Sequence, residues 1–551
     1  MASHGDADHE TVAVHFAAGG DRDRAGAHYA HAARYAERAL AFDRASKLYE
    51  QSLDHRPGSD VERRDLLAAL GSALANAGRG GRAAEAYERA AGLATDETQR
   101  LDLQRRAASQ YCTSGHIDQG RQLFDDVMRG VGLRPVHSPA LIIGQLMGRR
   151  TLLRLRGLGH VPRREEQVPP ELLRRLDTLW AVSTSLSNVD VVGVAALQSQ
   201  ALLLALKAGE PRRLALALAW ESVLNATAGT KAAPRSNELL QVARSLVTSE
   251  PAPHAHGMMS LSAGWVAFLH ARFPDALALC DEAEPVFREQ CTGVWWELTT
   301  TRTMLAWGLA HTGRSRQLTA RITAWEPEGR ARGDHFMVTN LLAYPMPFER
   351  MMAGDVDGAR EQLREALALW PYRGFHIQHV SVLFSQALLS LYSGDGQGAC
   401  NAVTSKWPAM VRSLQTQNQQ TRIMLRDARA RGAIAAAIAN IERDRNIERA
   451  ETDLRAIERE QAGWADAYAH RIRAGLRIVR GDFEGATAAL RASIPGLEEA
   501  GMSLQAAAVR RRLGQLIGGD EGRAMTATGD AMMRDAGIAD PEAVTRMYVA
   551  G

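Results

Sequence analysis

The segment Leu66–Ala91, LLAALGSALANAGRGGRAAEAYERAA, limits what this chain of 551 residues can fold into. Leu67, Leu70 and Leu74 recur at three and four residues, the spacing that puts side chains on one face of a helix. Gly78, Gly80 and Gly81 then stop that helix, because glycine accepts the left-handed backbone on which helices end. A second helix follows at once, with Ala83, Tyr87 and Ala90 as its inner stripe. Gly71 and Ala83 put the smallest side chains where the two backbones would cross. A helix pair of this size cannot bury both of its apolar faces alone, so the segment predicts neighbours of the same kind stacked on either side.

Those neighbours are present. Gly19-Gly20 ends one helix and Asp21 caps the next, in which Ala25, Tyr29 and Ala32 repeat the small-x3-aromatic rhythm. Ala45 and Tyr49 repeat it again with a closing Pro57, and Gly120 with Phe124 make a weaker copy. From Pro169 onward the rhythm resumes with turn signals at Gly209, Pro274, Gly313, Gly354, Gly394 and Gly481. Taking Ala276, Leu318, Ala359 and Ala399 as equivalent, the steps are 42, 41 and 40 residues, so these units have longer helices or longer loops than the first ones. One good copy has Ala359, Leu363, Ala366 and a closing Pro371; another has Ala486, Leu490 and a closing Pro495. Between Arg422 and Gln461 the sequence is helical by propensity but has no clear register, and Asp540 with Pro541 starts a last helix. The expected organisation is a flexible 1–10, first repeats over 11–130, a basic connector over 131–170, longer repeats over 171–517 and a capping helix over 518–551. No alternation of β-branched residues is long enough for a strand.

Leu70-Gly71, Ala83, Tyr87 and Ala90 resemble the tetratricopeptide pattern, which implies an all-α, right-handed α–α superhelix, a TPR-like solenoid. Several stretches are similar to something more particular: GDRDRAGAHYAHAARYAERALAFDRASKLYEQSL, SGHIDQG, RTLLRLRGLG, LLLALKAGEP and DAGIADPEAVTRM. They resemble the C-terminal repeat region of large bacterial serine/threonine-kinase and ATPase fusion proteins. That resemblance implies a docking or sensing array in signal transduction, with a serine/threonine kinase or signalling ATPase as the candidate partner. The kinase and ATPase domains themselves are absent from this sequence, so their chemistry is not carried over; a split or remnant piece of such a regulator is the alternative reading.

Charge narrows the partners. Formal net charge is +3, with 66 basic and 63 acidic residues, so the totals give no reason to expect nucleic acid. The one asymmetry lies between Val127 and Arg164, which holds no acid and eight arginines: Arg129, Arg134, Arg149, Arg150, Arg154, Arg156, Arg163 and Arg164. It reads either as an irregular connector with solvated arginines or as a basic helix, Leu141–Leu158, laid on an acidic partner or anionic surface. The apolar runs Ala201–Leu206 and Leu214–Trp220 are too short to span a bilayer, and MASHGDADHE lacks the build of a signal peptide, so the expectation is a cytoplasmic protein without membrane insertion. Cys112, Cys280, Cys291 and Cys400 form no CxxC pair and fit reduced thiols.

Chemistry-bearing motifs are missing. There is no Walker loop, no HRD or DFG, no HExxH and no GxSxG. The Gly394–Gly398 and Asp355–Gly358 stretches read as inter-helix turns, and the pairs His254/His256 and His376/His379 lack a third metal ligand. No enzyme activity, cofactor or metal is expected. The binding candidates are Arg149, Arg150, Arg154 and Arg156 in the basic segment and, among the tryptophans clustered between 260 and 370, Trp295, Trp296 and Trp307, which serve either a protein partner or a sensed small molecule.

Overall fold

The computed structural model describes residues 8–55, 58–187, 189–247, 252–370 and 374–550; they form helices joined by short turns, with no strand among the described residues. Pro57, Pro371 and most of 1–10 lie outside them. The first array is α1 (His9–Ala18), α2 (Arg22–Arg38), α3 (Phe42–His55), α4 (Asp60–Asn76), α5 (Gly80–Gly92), α6 (Glu97–Thr113) and α7 (Ile117–Gly130), each packed on the next. Helix α8 (Pro139–Arg156) then leaves the stack, and α9 (Pro170–Leu186) takes the place beside α6 and α7. The stack continues through α10 (Val191–Ala208), α11 (Pro211–Ala226), α12 (Ala233–Leu246), α13 (Pro253–Leu269) and α14 (Phe273–Gln290). It goes on as α15 (Trp295–Thr312), α16 (Ser315–Arg332), α17 (His335–Ala343), α18 (Pro345–Met352), α19 (Val356–Leu369), α20 (Ile377–Tyr392) and α21 (Gly396–Arg412). It ends with α22 (Gln419–Ile438), α23 (Arg443–Glu458), α24 (Gly463–Val479), α25 (Phe483–Glu499), α26 (Ser503–Ile517), α27 (Gly519–Asp535) and α28 (Pro541–Tyr548). The all-α solenoid of helix pairs is therefore the architecture of the chain.

The repeat-defining side chains are where the spacing puts them. Ala25, Tyr29, Ala45, Tyr49, Leu70, Ala83, Tyr87, Ala90, Ala359, Leu363, Ala366 and Ala486 are all buried. At Gly71 an added Cβ would lie 2.8 Å from the Tyr87 ring, so the α4–α5 crossing needs a residue without a side chain. Gly78, with φ at +75°, reverses the chain there.

Four features depart from the expectation. Pro495 does not close its helix: it lies inside α25, as Pro285, Pro327 and Pro408 lie inside α14, α16 and α21. Running on past the proline lengthens these second helices, which accounts for part of the 40- to 42-residue step. The 422–461 region resolves into α22 and α23, whose turn uses Asn440 and Glu442 in the left-handed region (φ +60° and +39°) and so carries no glycine signal. The 131–170 segment holds an 18-residue helix, α8, rather than an irregular connector. In 518–551, α27 pairs with α26 as an ordinary second helix, and only α28 folds back, onto α26 and α20.

First and second helices differ in burial. Every residue of α11 from Leu214 to Ala226 is buried, and most of α13, α15 and α22 likewise, whereas α16, α19 and α23 bury only a stripe. A helix buried on most of its circumference needs neighbours on more than one side, and the stack curls until distant turns touch. Arg79 donates to the Ala331 carbonyl (2.7 Å), Gly293 N to Asn76 Oδ1 (2.7 Å), Gln419 N to the Thr227 carbonyl (3.0 Å) and Ala539 N to the Met352 carbonyl (2.8 Å). The helix α10, long and apolar enough to cross a membrane, is held here between α8, α9 and α11.

A buried ion cluster ties the last repeats together. Asp427 on α22 accepts from Arg471 Nη2 on α24 at 2.9 Å through both oxygens and from Arg431 Nε at 2.9 Å; Arg471 also donates to Gln505 on α26 (2.8 Å), and Arg431 to the Met547 carbonyl on α28. One carboxylate thus serves two fully enclosed guanidinium groups. Asp427→Asn leaves both undercompensated and should cost about 3–5 kcal/mol in urea unfolding; a loss below about 1 kcal/mol would mean water reaches the cluster.

Elsewhere burial alone pushes His311 down to about 3, in a cage formed by Phe273, Phe268 and Tyr344. The unfolded chain binds that proton near pH 6.5 and the folded one does not, so this contribution is complete above 6.5 and is lost as pH falls toward 3. Thermal unfolding midpoints should therefore drop between pH 6.5 and 4, and drop less steeply in His311→Phe.

Candidate ligand recess and docking helix

Helix α8 has two unlike faces. Inward, Leu153 is its one fully buried residue among those described, and Arg149 donates from Nη1 to the Ala196 carbonyl on α10 (2.8 Å), its charge disfavoured by burial. Outward, Leu141, Gly144, Gly148, Leu152 and Leu155 recur at three and four residues, one stripe of a helix. Leu141, Leu152 and Leu155 are 61%, 50% and 82% exposed, and nothing lies within 4 Å of a Cβ built on either glycine. Arg154 and Arg156, both exposed, sit off this stripe.

Beneath α8 lies a recess of about 400 Å3. Ile143, Leu146, Met147 and Arg150 of α8 form one side of it. Trp220 and Val223 of α11, Trp265 and Phe268 of α13, Thr300, Met304 and Trp307 of α15 and Phe336 on α17 form the walls. The far edge is the 414–421 segment, brought across by the Gln419 to Thr227 bond and by Gln419 Oε1 accepting from Thr230 N at 3.0 Å. Gly229 makes that meeting possible: with φ at +95°, it passes so near the Gln419 amide that a Cβ would collide with it. Among the described residues Arg150 is the one charged side chain on the wall. Its Nε lies 3.3 Å from Glu221 Oε1, and burial raises the Glu221 carboxyl above its ordinary range while Arg150 opposes the rise.

Of the three tryptophans, Trp295 and Trp296 line one crevice and Trp307 another site. Trp307 lines the recess. Trp296 stands edge-on to Trp220 at 5.3 Å, and Trp265 meets the same ring at 5.4 Å. Trp295 donates to Asp334 Oδ2 (2.6 Å) under the Arg332 guanidinium, 4.3 Å from its ring, in a crevice of only about 10 Å3. Of the arginines, Arg150 joins the recess, Arg149 bonds to a backbone carbonyl, and Arg154 and Arg156 are exposed beside the stripe. Trp220, Glu221, Phe268 and Gln420 were not singled out from the sequence; they sit in apolar or polar runs that give no local sign of which elements meet.

Other candidates have structural partners. His254 pairs with Glu297 (2.8 Å), His256 bonds to the Ala252 carbonyl (3.0 Å), and His376 N donates to His379 Nδ1 (3.0 Å). Asp355 and Asp395 cap α19 and α21. Burial pushes the Cys112 and Cys280 thiols up to about 12, so neither is a ready nucleophile.

No model of a known protein family matches the sequence, and no curated protein does. Among solved structures, the APC/C hetero-tetramer Cut9–Hcn1 aligns over 92% of this chain and 89% of its own, at 15% identity and a TM-score of 0.46. A Rap protein complexed with competence and sporulation factor aligns over 73% of this chain and 99% of its own (11% identity, TM-score 0.41), and yeast Tom70 over 92% and 99% (13%, 0.31).

The two faces of α8 make opposite demands on mutation. Gly148→Leu on the open stripe should raise stability by about 0.5–1 kcal/mol, the helix-propensity gain of removing a glycine, whereas Leu153→Ala should cost about 2–5 kcal/mol. Urea titration of the pair checks which face is seated.

Proposed function

We propose that this chain is a non-catalytic regulatory scaffold of bacterial signal transduction that docks a protein partner on the outward face of α8. What supports the reading is the exposed leucine and glycine stripe: a helix that leaves an apolar stripe uncovered is an unfilled interface. The two glycines admit a close helix backbone, and the flanking arginines favour an acidic one. The inner face of the stack, the usual site in a stacked array, opens as the recess under α8, where α11, α13 and α15 meet the 414–421 segment. A serine/threonine kinase or signalling ATPase is the partner that the sequence resemblance suggests.

Capture from the native host with the purified chain, using wild type and the double variant Gly148→Leu, Leu155→Asp, tests this. The reading expects a kinase or signalling ATPase bound by wild type and weakened at least about tenfold in the variant, the size of loss seen when a central interface contact is removed. Equal capture by both would refute the α8 interface. Flotation of wild type with phosphatidylglycerol vesicles, lost in the variant, would instead make the stripe a membrane contact.

A further inference from the structure

The recess beneath α8 has a chemistry of its own. Its volume of about 400 Å3 falls in the range of small-molecule sites. Four side chains on its wall keep buried hydrogen-bonding atoms without a partner in the protein: Trp220 Nε1, Trp307 Nε1, Thr300 Oγ1 and Arg150 Nη2. Trp220 is 1% and Thr300 3% exposed, so these two are enclosed, while Trp307 and Arg150 are half-buried. Each unsatisfied polar group ordinarily costs about 1–3 kcal/mol, and all four can donate. The walls between them are aromatic and aliphatic. Glu221 Oε1 lies 3.3 Å from Arg150 Nε and Glu221 does not line the recess, which leaves Arg150 Nη2 for a second acceptor.

We propose that the recess is a binding site for an amphipathic carboxylate: a small apolar body held among Trp220, Trp265, Phe268 and Trp307, with its carboxylate at Arg150. Matched donors and an acceptor-only anion complement each other, and a cation or a molecule with only donors does not. This goes beyond the docking reading, which uses the outward face of α8, yet the two share one element. Ile143, Leu146, Met147 and Arg150 hang from the same helix, so a ligand beneath α8 that holds it in one position changes the free energy of docking above it, and docking changes ligand affinity by the same factor.

The experiment is calorimetric titration of the full chain with naphthaleneacetate and decanoate. Each is compared with a neutral and a cationic molecule of the same body: naphthaleneacetamide and naphthylmethylamine, decanol and decylamine. At least one carboxylate should bind once per chain and at least about tenfold tighter than its neutral counterpart, the step that one charge-assisted contact supplies, and the amines should bind weakest. Arg150→Met should bring the carboxylate to the level of its neutral counterpart, Arg150→Lys should keep part of the preference, and Trp307→Ala should weaken both. Leu155→Asp should leave all of these affinities unchanged. Circular dichroism and thermal unfolding confirm that each variant is folded. Carboxylates bound no more tightly than neutral molecules, or affinities that respond to Leu155→Asp but not to Arg150→Met and Trp307→Ala, overturn the site. If the carboxylate binds while partner capture ignores the α8 stripe, the docking reading alone falls.

Discussion

The structure depends on one constraint: the first helices in the middle of the chain, α11, α13, α15 and α22, are buried on most of their circumference. A helix with a single apolar stripe is satisfied by one neighbour, and a stack of such helices can stay open and gently curved. Here α11 buries every residue from Leu214 to Ala226, and α15 encloses even Thr299, Thr301 and Arg302. Such helices need cover from above, below and within, so the array closes on itself. Charged groups caught inside form buried pairs: Arg302 with Glu284 and Glu328, and Asp427 with Arg431 and Arg471.

Closure converts a repeat array into something with an interior. In an open solenoid each unit touches only its neighbours; here bonds join Asn76 to Gly293, Thr227 to Gln419 and Met352 to Ala539 across long stretches of chain. The recess is what remains where closure is incomplete. It lies where the 414–421 segment meets the loop after α11, and α8, the one helix that leaves the stack, lies over it. A helix lying over this gap puts cavity and exposed apolar stripe on two sides of one element.

The helix pairs were legible because their physics is local. Leu67, Leu70 and Leu74 declare a face, Gly71 a crossing and Gly78 a turn, and each does so within one unit. The same locality hid the recess. Trp220 and Glu221 look like core residues of an apolar run, and Gln419 and Gln420 like a polar turn; their meeting depends on how far the stack curls, which no single repeat encodes. The α22–α23 turn went unread because Asn440 and Glu442 take the backbone conformation that glycine usually signals. Pro495 misled in the other direction, since a proline that ends short repeat helices is carried inside this longer one. The basic segment gave its charge but not its use: Arg149, Arg150 and Arg154 differ in role by where one helical turn faces.

Amide hydrogen exchange, resolved by residue, tests the central claim that the first helices are sealed within a closed array. Amides of α11 and α15 should exchange only through global unfolding, and those of α8 faster by orders of magnitude through local opening. Exchange in α11 and α15 as fast as in α8 would contradict the account, since an open stack would leave those helices reachable by water one repeat at a time.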